Sequence, residues 1–263
     1  MGAEMSCEVP SAGQGRGEGL RPLVGDRFHF ACHPKVPCFN ACCADLRLIL
    51  TPYDILRMKR QLGIPAREFI EAYTVSAHGE HSLFPMLRLR MREEGRRACP
   101  FVREEGCSIY QDRPGACRLY PLGRAASFAW GRGQPQEAYF LVEEAHCLGF
   151  RHEREWTVGG WLKDQGVGLY NEMNRSWMEI VTSQHPRLRH LTEDKLRMFH
   201  MASYNLDRFR EFVFQTKFLK VFSISPEEAE KVATDDVQLM VLGMNWLRFA
   251  LLGEPIMTPV TDS

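Results

Sequence analysis

The sequence has no apolar run long enough to cross a bilayer: the longest, residues 237–252, is short and carries Asn245 and Arg248. It has no net charge, with 33 Lys and Arg against 33 Asp and Glu, so no overall field draws it to nucleic acid or to an anionic membrane. Neither binding to nucleic acid nor membrane insertion is therefore expected. No cationic start followed by an apolar core opens the chain, and the expected location is cytoplasmic. There is no glycine-rich phosphate loop, dinucleotide fingerprint or triad motif. No catalytic residue and no organic-cofactor site can be named, and whether the chain is an enzyme stays open. It also lacks C-x2-C, the usual supply of zinc knuckles.

What it has is cysteine, nine in all. Eight lie between Cys32 and Cys147. Cys32, Cys38, Cys42 and Cys43 form a knot, C-x5-C-x3-C-C. Cys99, Cys107 and Cys117 follow in the turn-rich segment ACPFVREEGCSIYQDRPGACRLYPLGR, and Cys147 closes the set. In a reducing compartment such a set reads as metal ligands rather than as staples. Buried free thiols are a good account of one cysteine, but a poor one for eight so close together. The ninth, Cys7, is expected to be a free surface thiol.

The spacing bears on the metal. Adjacent side chains diverge by about 100° on a helix, or lie on opposite faces of a strand. Cys42 and Cys43 are thus awkward partners for one tetrahedral ion: one ligates while the other packs, serves a second site or binds another iron. An iron–sulfur cluster spreads its ligands over several irons and tolerates irregular spacing, so a cluster is preferred to zinc. Phe39, Phe101, Ile109 and Tyr110 are positioned to exclude solvent, and turn N–H groups to bond to sulfur. Between Arg88 and Arg118 stand eight Arg and five acidic residues. They offset thiolate charge or form a solvated surface; Arg113 and Arg118 could orient the loop. His29, His33, His146 and His152 are weaker ligand candidates, and Cys117 beside Arg118 is a weak candidate nucleophile. A repeated C-x2-Y, at Cys107–Tyr110 and Cys117–Tyr120, hints at two similar turns.

The fold expected is α+β: a small cysteine-rich metal-binding module with short strands and helices, followed by an α-helical C-terminal segment. Residues 1–25 read as a flexible tail, 26–150 as the module and 151–263 as the helical region. Order should begin near Phe28. Leu46, Leu48 and Leu50 alternate as in a strand. Thr51-Pro52-Tyr53-Asp54 opens a helix that Gly63 ends, and Pro65 opens a second. FPMLRLRM and ACPFV read as strands, YFLVE as a last strand delivering Cys147, and RAASFAWGRGQPQ as a loop. Three long helices follow: 158–183 with Tyr170, Met173, Trp177, Ile180 and Val181 on one face and Gly166 and Gly168 near its start; 192–222 with Phe199, Phe209, Phe212, Val213 and Leu219 inward; and one from the capping box Ser225-Pro226-Glu227-Glu228 to Gly253.

CFNACC, LTPYDILRMKRQLG, ACPFV, GCSIYQDRPGACRLYPLG and a later Cys-Leu-Gly together resemble the YkgJ-type cysteine-cluster family, a zinc- or iron-chelating domain by description. The resemblance runs from about Phe30 to Gly149, and residues 107–121 are its most specific part. It departs in the first knot, where C-x5-C replaces a tighter pair, which leaves Cys32 the least secure ligand. The resemblance implies metal chelation and says little about activity; separately, a protein partner or substrate is expected. Flagellin lysine N-methylases, linked to an iron–sulfur cluster, share a similar pattern and offer a protein-modifying enzyme as one alternative; a zinc-built interaction module without catalysis is the other.

Overall fold

The computed structural model describes residues 18–78, 82–127 and 136–260. The fold is α+β, with small antiparallel sheets followed by a helical C-terminal part. Strand β1 (Glu18–Pro22) pairs along its length with a later strand, so these residues, expected in the tail, belong to a sheet. Then come β2 (Arg27–His29), β3 (Ile49–Leu50), α1 (Pro52–Leu62), α2 (Ala66–Tyr73), β4 (Thr74–His78) and β5 (Pro85–Leu89). A short hairpin of β6 (Val102–Arg103) and β7 (Gly106–Cys107) leads to α3 (Gly115–Leu119), β8 (Leu122–Ser127), β9 (Gln136–Glu144) and β10 (Glu155–Thr157). The sheet orders are β1-β9-β8, β3-β5-β4, β10-β2 and β6-β7.

Several elements form for reasons visible in the chain. Helix α1 carries a full capping box: the Thr51 hydroxyl accepts the Asp54 N–H, and the Asp54 carboxylate accepts the Thr51 N–H at 2.9 Å. Gly63 ends it in the left-handed region, at φ 67°. In β5 and beyond, Leu87, Leu89 and Met91 are buried, as their alternation requires. The segment RAASFAWGRGQPQ is not all loop: its first four residues lie in β8, paired with β9, and 128–135 fall outside the described residues. The strand expected over ACPFV begins only at Val102, because Cys99–Phe101 turns back on itself. YFLVE lies within β9, but β10 follows it.

The long C-terminal helices are broken into shorter ones: α4 (Val158–Asp164), α5 (Val167–Met173), α6 (Arg175–Val181), α7 (Glu193–Tyr204), α8 (Leu206–Gln215), α9 (Phe218–Val221), α10 (Pro226–Thr234) and α11 (Asp236–Leu247), with a π-helical turn at Arg248–Leu252. Gly166 makes the first break at φ 63°. Asn174, Asn205 and Asp235 make others by turning their side chains onto backbone groups. The expected apolar faces are nonetheless inward: Tyr170, Trp177, Ile180, Val181, Phe199, Phe209 and Val213 are buried.

Two apolar clusters organise the interior. The larger joins Tyr53, Leu56 and Phe69 to Trp177, Phe199, Phe209 and Leu247, so the helical region shares its core with α1, α2 and the β3-β5-β4 sheet. Lys59, buried in α1, reinforces the joint by pairing with Asp207 at 3.0 Å and Asp236 at 3.3 Å. The smaller gathers Phe28, Phe30, Leu122, Leu141 and Trp161. Phe30 is its hub, edge-on to Tyr120, Phe150 and Trp161 with ring centres 5.3–5.9 Å away; each such contact is worth about 0.5–1.5 kcal/mol beyond area burial. Cys43, Cys99 and Cys107 pack on the larger cluster and Cys147 on the smaller.

Candidate metal centre

The first knot is a succession of tight turns. Val36 N–H donates to His33 O, Phe39 N–H to Val36 O, Ala41 N–H to Cys38 O and Cys43 N–H to Asn40 O, all within 2.8–3.2 Å. Asn40 has φ 65°, a conformation its short polar side chain tolerates. Its amide reaches across to Arg103 O at 2.9 Å, tying the knot to the β6–β7 hairpin. Phe39 covers Gly106 from the same side: a Cβ there would stand 3.3 Å from the ring. The Cys99 N–H donates to Cys43 O at 2.8 Å, which brings two cysteines 56 positions apart into register.

The second half of the set is held from behind. Asp54 is buried; one carboxylate oxygen accepts the Gly115 N–H at 2.8 Å and the other the Thr51 N–H. The start of α1 thereby fixes the start of α3, which carries Cys117. Burial pushes the Asp54 carboxyl up from its ordinary range, against the pull of these N–H groups and of Arg118. Arg118 lies over the Tyr170 ring and donates to Gln165 O at 2.9 Å and to Arg113 O at 3.2 Å. Arg113 caps the Tyr110 ring at 3.8 Å. Both arginines orient the loop, as expected; Arg113 and Arg103 also face Cys107, and Arg92 faces Cys99.

The sulfurs meet a consistent set of donors. The Leu148 N–H points at Cys38 Sγ from 3.1 Å. Burial raises the Cys99, Cys107 and Cys147 thiols, and nearby backbone N–H groups, of Phe101, Ile109 and Gly149 respectively, pull the other way; the Val102 N–H donates to Cys99 O at 3.3 Å. Donors aimed at sulfur favour the thiolate, the form that binds metal. The Tyr120 hydroxyl is buried, has no nitrogen or oxygen partner among the described residues, and faces the Cys147 thiol. Such an orphan donor suits a metal-bound thiolate acceptor. The donor set as a whole fits a sulfur-ligated metal.

The thiols also act on one another. Burial, then Cys99, Asp54 and Cys107, push the Cys117 thiol up. Cys32 is exposed as a residue, yet partial burial of its thiol, with Cys42, Cys147 and Cys38 nearby, pushes it up to about 11. The adjacent Cys42 and Cys43 thiols act on each other, which lowers Cys42 and raises Cys43. In the absence of metal, mutual repulsion and burial therefore keep most of the set protonated. As the side chains stand, no three of His, Cys, Asp or Glu among the described residues converge as ligands of a single ion. The cysteines are close neighbours rather than one closed coordination sphere.

Other expectations resolve differently. Phe101 and Ile109 are buried and Phe39 partly so, but Tyr110 is exposed and shields nothing. The C-x2-Y echo does not produce similar turns: Cys107 ends a strand and Cys117 lies in a helix. His33 packs edge-on to His152, and His146 pairs with Glu144 at 3.3 Å. Cys7 lies outside the described residues. Asp54, Gly149 and Tyr120 are the positioning residues that sequence reasoning missed; for Tyr120, proximity to Cys117 was the available signal. Gly149 must lack a side chain, since a Cβ would lie 2.5 Å from the Phe30 ring and 2.8 Å from Ala31 O.

No helix among the described residues is long and apolar enough to cross a membrane. No curated protein and no solved structure matches the chain. Residues 31–148 match the CxxCxxCC family model, described as a "putative zinc- or iron-chelating domain". The match takes in the eight cysteines, although the first knot is spaced C-x5-C-x3-C-C rather than as the family's name has it. The cysteine-rich part of this chain, residues 31–148, is similar to the CxxCxxCC family.

Proposed function

We propose that this domain is a metal-binding module whose thiolates hold iron in iron–sulfur form, with Cys32, Cys38, Cys42, Cys43, Cys99, Cys107, Cys117 and Cys147 as the ligand set. The observation that carries the reading is the gathering of these thiols with backbone N–H groups and the Tyr120 hydroxyl aimed at sulfur. Zinc shares the donor chemistry. One zinc ion, however, holds its sulfurs about 2.3 Å from the metal, whereas cluster ligands stand apart on separate irons. The irregular spacing of the eight cysteines agrees better with the second arrangement. A cluster bound here supplies electron transfer or structural cross-linking; the residues around it exclude water, balance thiolate charge and fix the loop. A reducing cytoplasm is the compartment in which such thiols stay available, and a protein partner or substrate is the class of molecule the module serves. No observation favours the methylase-like enzyme or the zinc-built interaction module.

The test is anaerobic purification of the full chain, followed by iron, zinc and acid-labile sulfide analysis and a visible spectrum. Coloured protein with iron and sulfide in comparable amounts supports the cluster. Colourless protein with stoichiometric zinc overturns the choice of iron, and protein with neither metal overturns chelation.

A further inference from the structure

Helix α3, which carries Cys117, has five residues. A helix this short does not hold itself, since isolated helices below about 12–15 residues are marginal in water even with good propensity. None of its residues is fully buried, so it sinks no apolar face into a core. What holds it must lie at its ends and along its side.

Many of those contacts come from residues 161–174, where α4 gives way to α5, beyond the residues that the family model matches. At the far end of α3, the Trp161 indole N–H donates to Leu119 O at 3.0 Å. That carbonyl lies in the last turn of a helix and has no intrahelical partner. At the near end, Gly115 lies against the Tyr170 ring, and a Cβ there would stand 3.3 Å from it. Along the side, Arg118 covers the same ring at 4.6 Å and donates to Gln165 O at 2.9 Å. Gln165 caps α4, and Gly166 follows in the left-handed region at φ 63°. The helix ends there, which leaves the Gln165 carbonyl for Arg118.

Gln165 is engaged twice. Its backbone oxygen takes Arg118, and its side-chain oxygen takes Arg113, which stands just before Pro114 at the start of α3. Arg113 is only 8% exposed. It has no carboxylate partner among the described residues; its acceptors are Tyr110 O and the Gln165 amide oxygen. A buried guanidinium is costly unless its N–H groups are bonded, so this neutral acceptor matters more than a surface contact would. The same corner reaches the start of α1. Asn174 Oδ1 accepts the Tyr53 N–H at 3.2 Å, and the Tyr53 and Tyr170 rings meet edge-on at 4.9 Å. Helix α1 is the one whose Asp54 accepts the Gly115 N–H.

We propose that residues 161–174 form the outer wall of the cysteine module, with Gln165 as its latch: a positioning residue that holds Arg113 and Arg118, and through them the Cys117 helix. The module then extends past residue 148, and the helical region controls where Cys117 sits. The proposal goes beyond the chelating function and does not depend on which metal the thiols hold.

Hydrogen–deuterium exchange of the full chain, read by peptide mass spectrometry, tests it. In Gln165→Leu, the amides of residues 115–120 should exchange about ten-fold faster than in wild type, through loss of a hydrogen bond to a charged group, while those of α7 and α11 keep their rates. Gln165→Glu retains an acceptor for Arg113 and should exchange at close to the wild-type rate. Unchanged exchange in Gln165→Leu overturns the latch. So does a Glu variant as fast as the Leu variant, which would reduce Gln165 to packing, and so does an acceleration spread evenly along the chain. If Gln165→Leu does not fold, Trp161→Phe takes its place: the aromatic ring stays, the donor to Leu119 O goes, and the same local acceleration is expected. No acceleration there would overturn the wall. Wild-type protein found without metal would sink the chelating function and leave this test standing.

Discussion

Asp54→Ala separates the scaffold of the site from its ligands. Asp54 touches no cysteine through a hydrogen bond, yet it joins the N-terminus of α1 to the start of α3, the helix that carries Cys117. Removing the carboxylate strands the Gly115 N–H and the Thr51 N–H in a largely dry environment. Each such loss costs about 1–3 kcal/mol. Part is returned, because the raised titration of Asp54 shows that its charge is itself desolvated. The net expectation is a loss of about 2–4 kcal/mol. Asn has one acceptor oxygen and can serve only one of the two N–H groups, so Asp54→Asn should cost about half as much. Urea unfolding of the full chain, followed by circular dichroism at neutral pH, measures both. The Ala variant should also release metal faster to a chelator, since Cys117 loses its backstop. An Ala variant within about 0.5 kcal/mol of wild type, with unchanged metal release, would refute the idea that Asp54 positions the second half of the site.

Gly149→Ala should destabilise by about 1–3 kcal/mol through overpacking, because its Cβ would overlap the Phe30 ring and Ala31 O; a thermal melt indistinguishable from wild type would contradict this. At Asp236, burial opposes ionisation, but Lys59, Arg60 and Arg210 together outweigh it and hold the carboxyl below its usual range. Its stabilisation is therefore complete above the unfolded value of about 3.9 and is lost as pH falls through the folded one. The stability gap between wild type and Asp236→Asn should close on acidification, and a gap that widens there would be evidence against the assignment. Cys107→Ser should lower metal content while Cys7→Ser leaves it intact, as metal analysis of the two purified variants will show; equal retention in both would break the ligand assignment.

Much of the fold was legible where local chemistry decides it. The Thr51–Asp54 and Ser225–Glu228 boxes, the Gly63 stop and the alternation in FPMLRLRM read directly from sequence because each involves residues within a turn or a strand. The breaks in the C-terminal helices were less legible. Asn174, Asn205 and Asp235 are ordinary in a helical run until a side chain finds a backbone partner, and for Asn174 that includes the distant Tyr53 N–H. Strand β1 was hidden because its pairing partner, β9, lies more than a hundred residues away. The crowding of cysteines marked the site. Which thiols are neighbours depended on long-range bonds, such as Cys99 to Cys43 and Leu148 to Cys38, that no spacing rule contains.

X-ray absorption at the iron and zinc edges, on full-length chain purified without oxygen, tests the central claim most directly, because it identifies the metal and the atoms bound to it. The account expects iron with a first shell of sulfur only and an iron–iron distance beyond it. A first shell dominated by nitrogen or oxygen, or no bound metal at either edge, would contradict it.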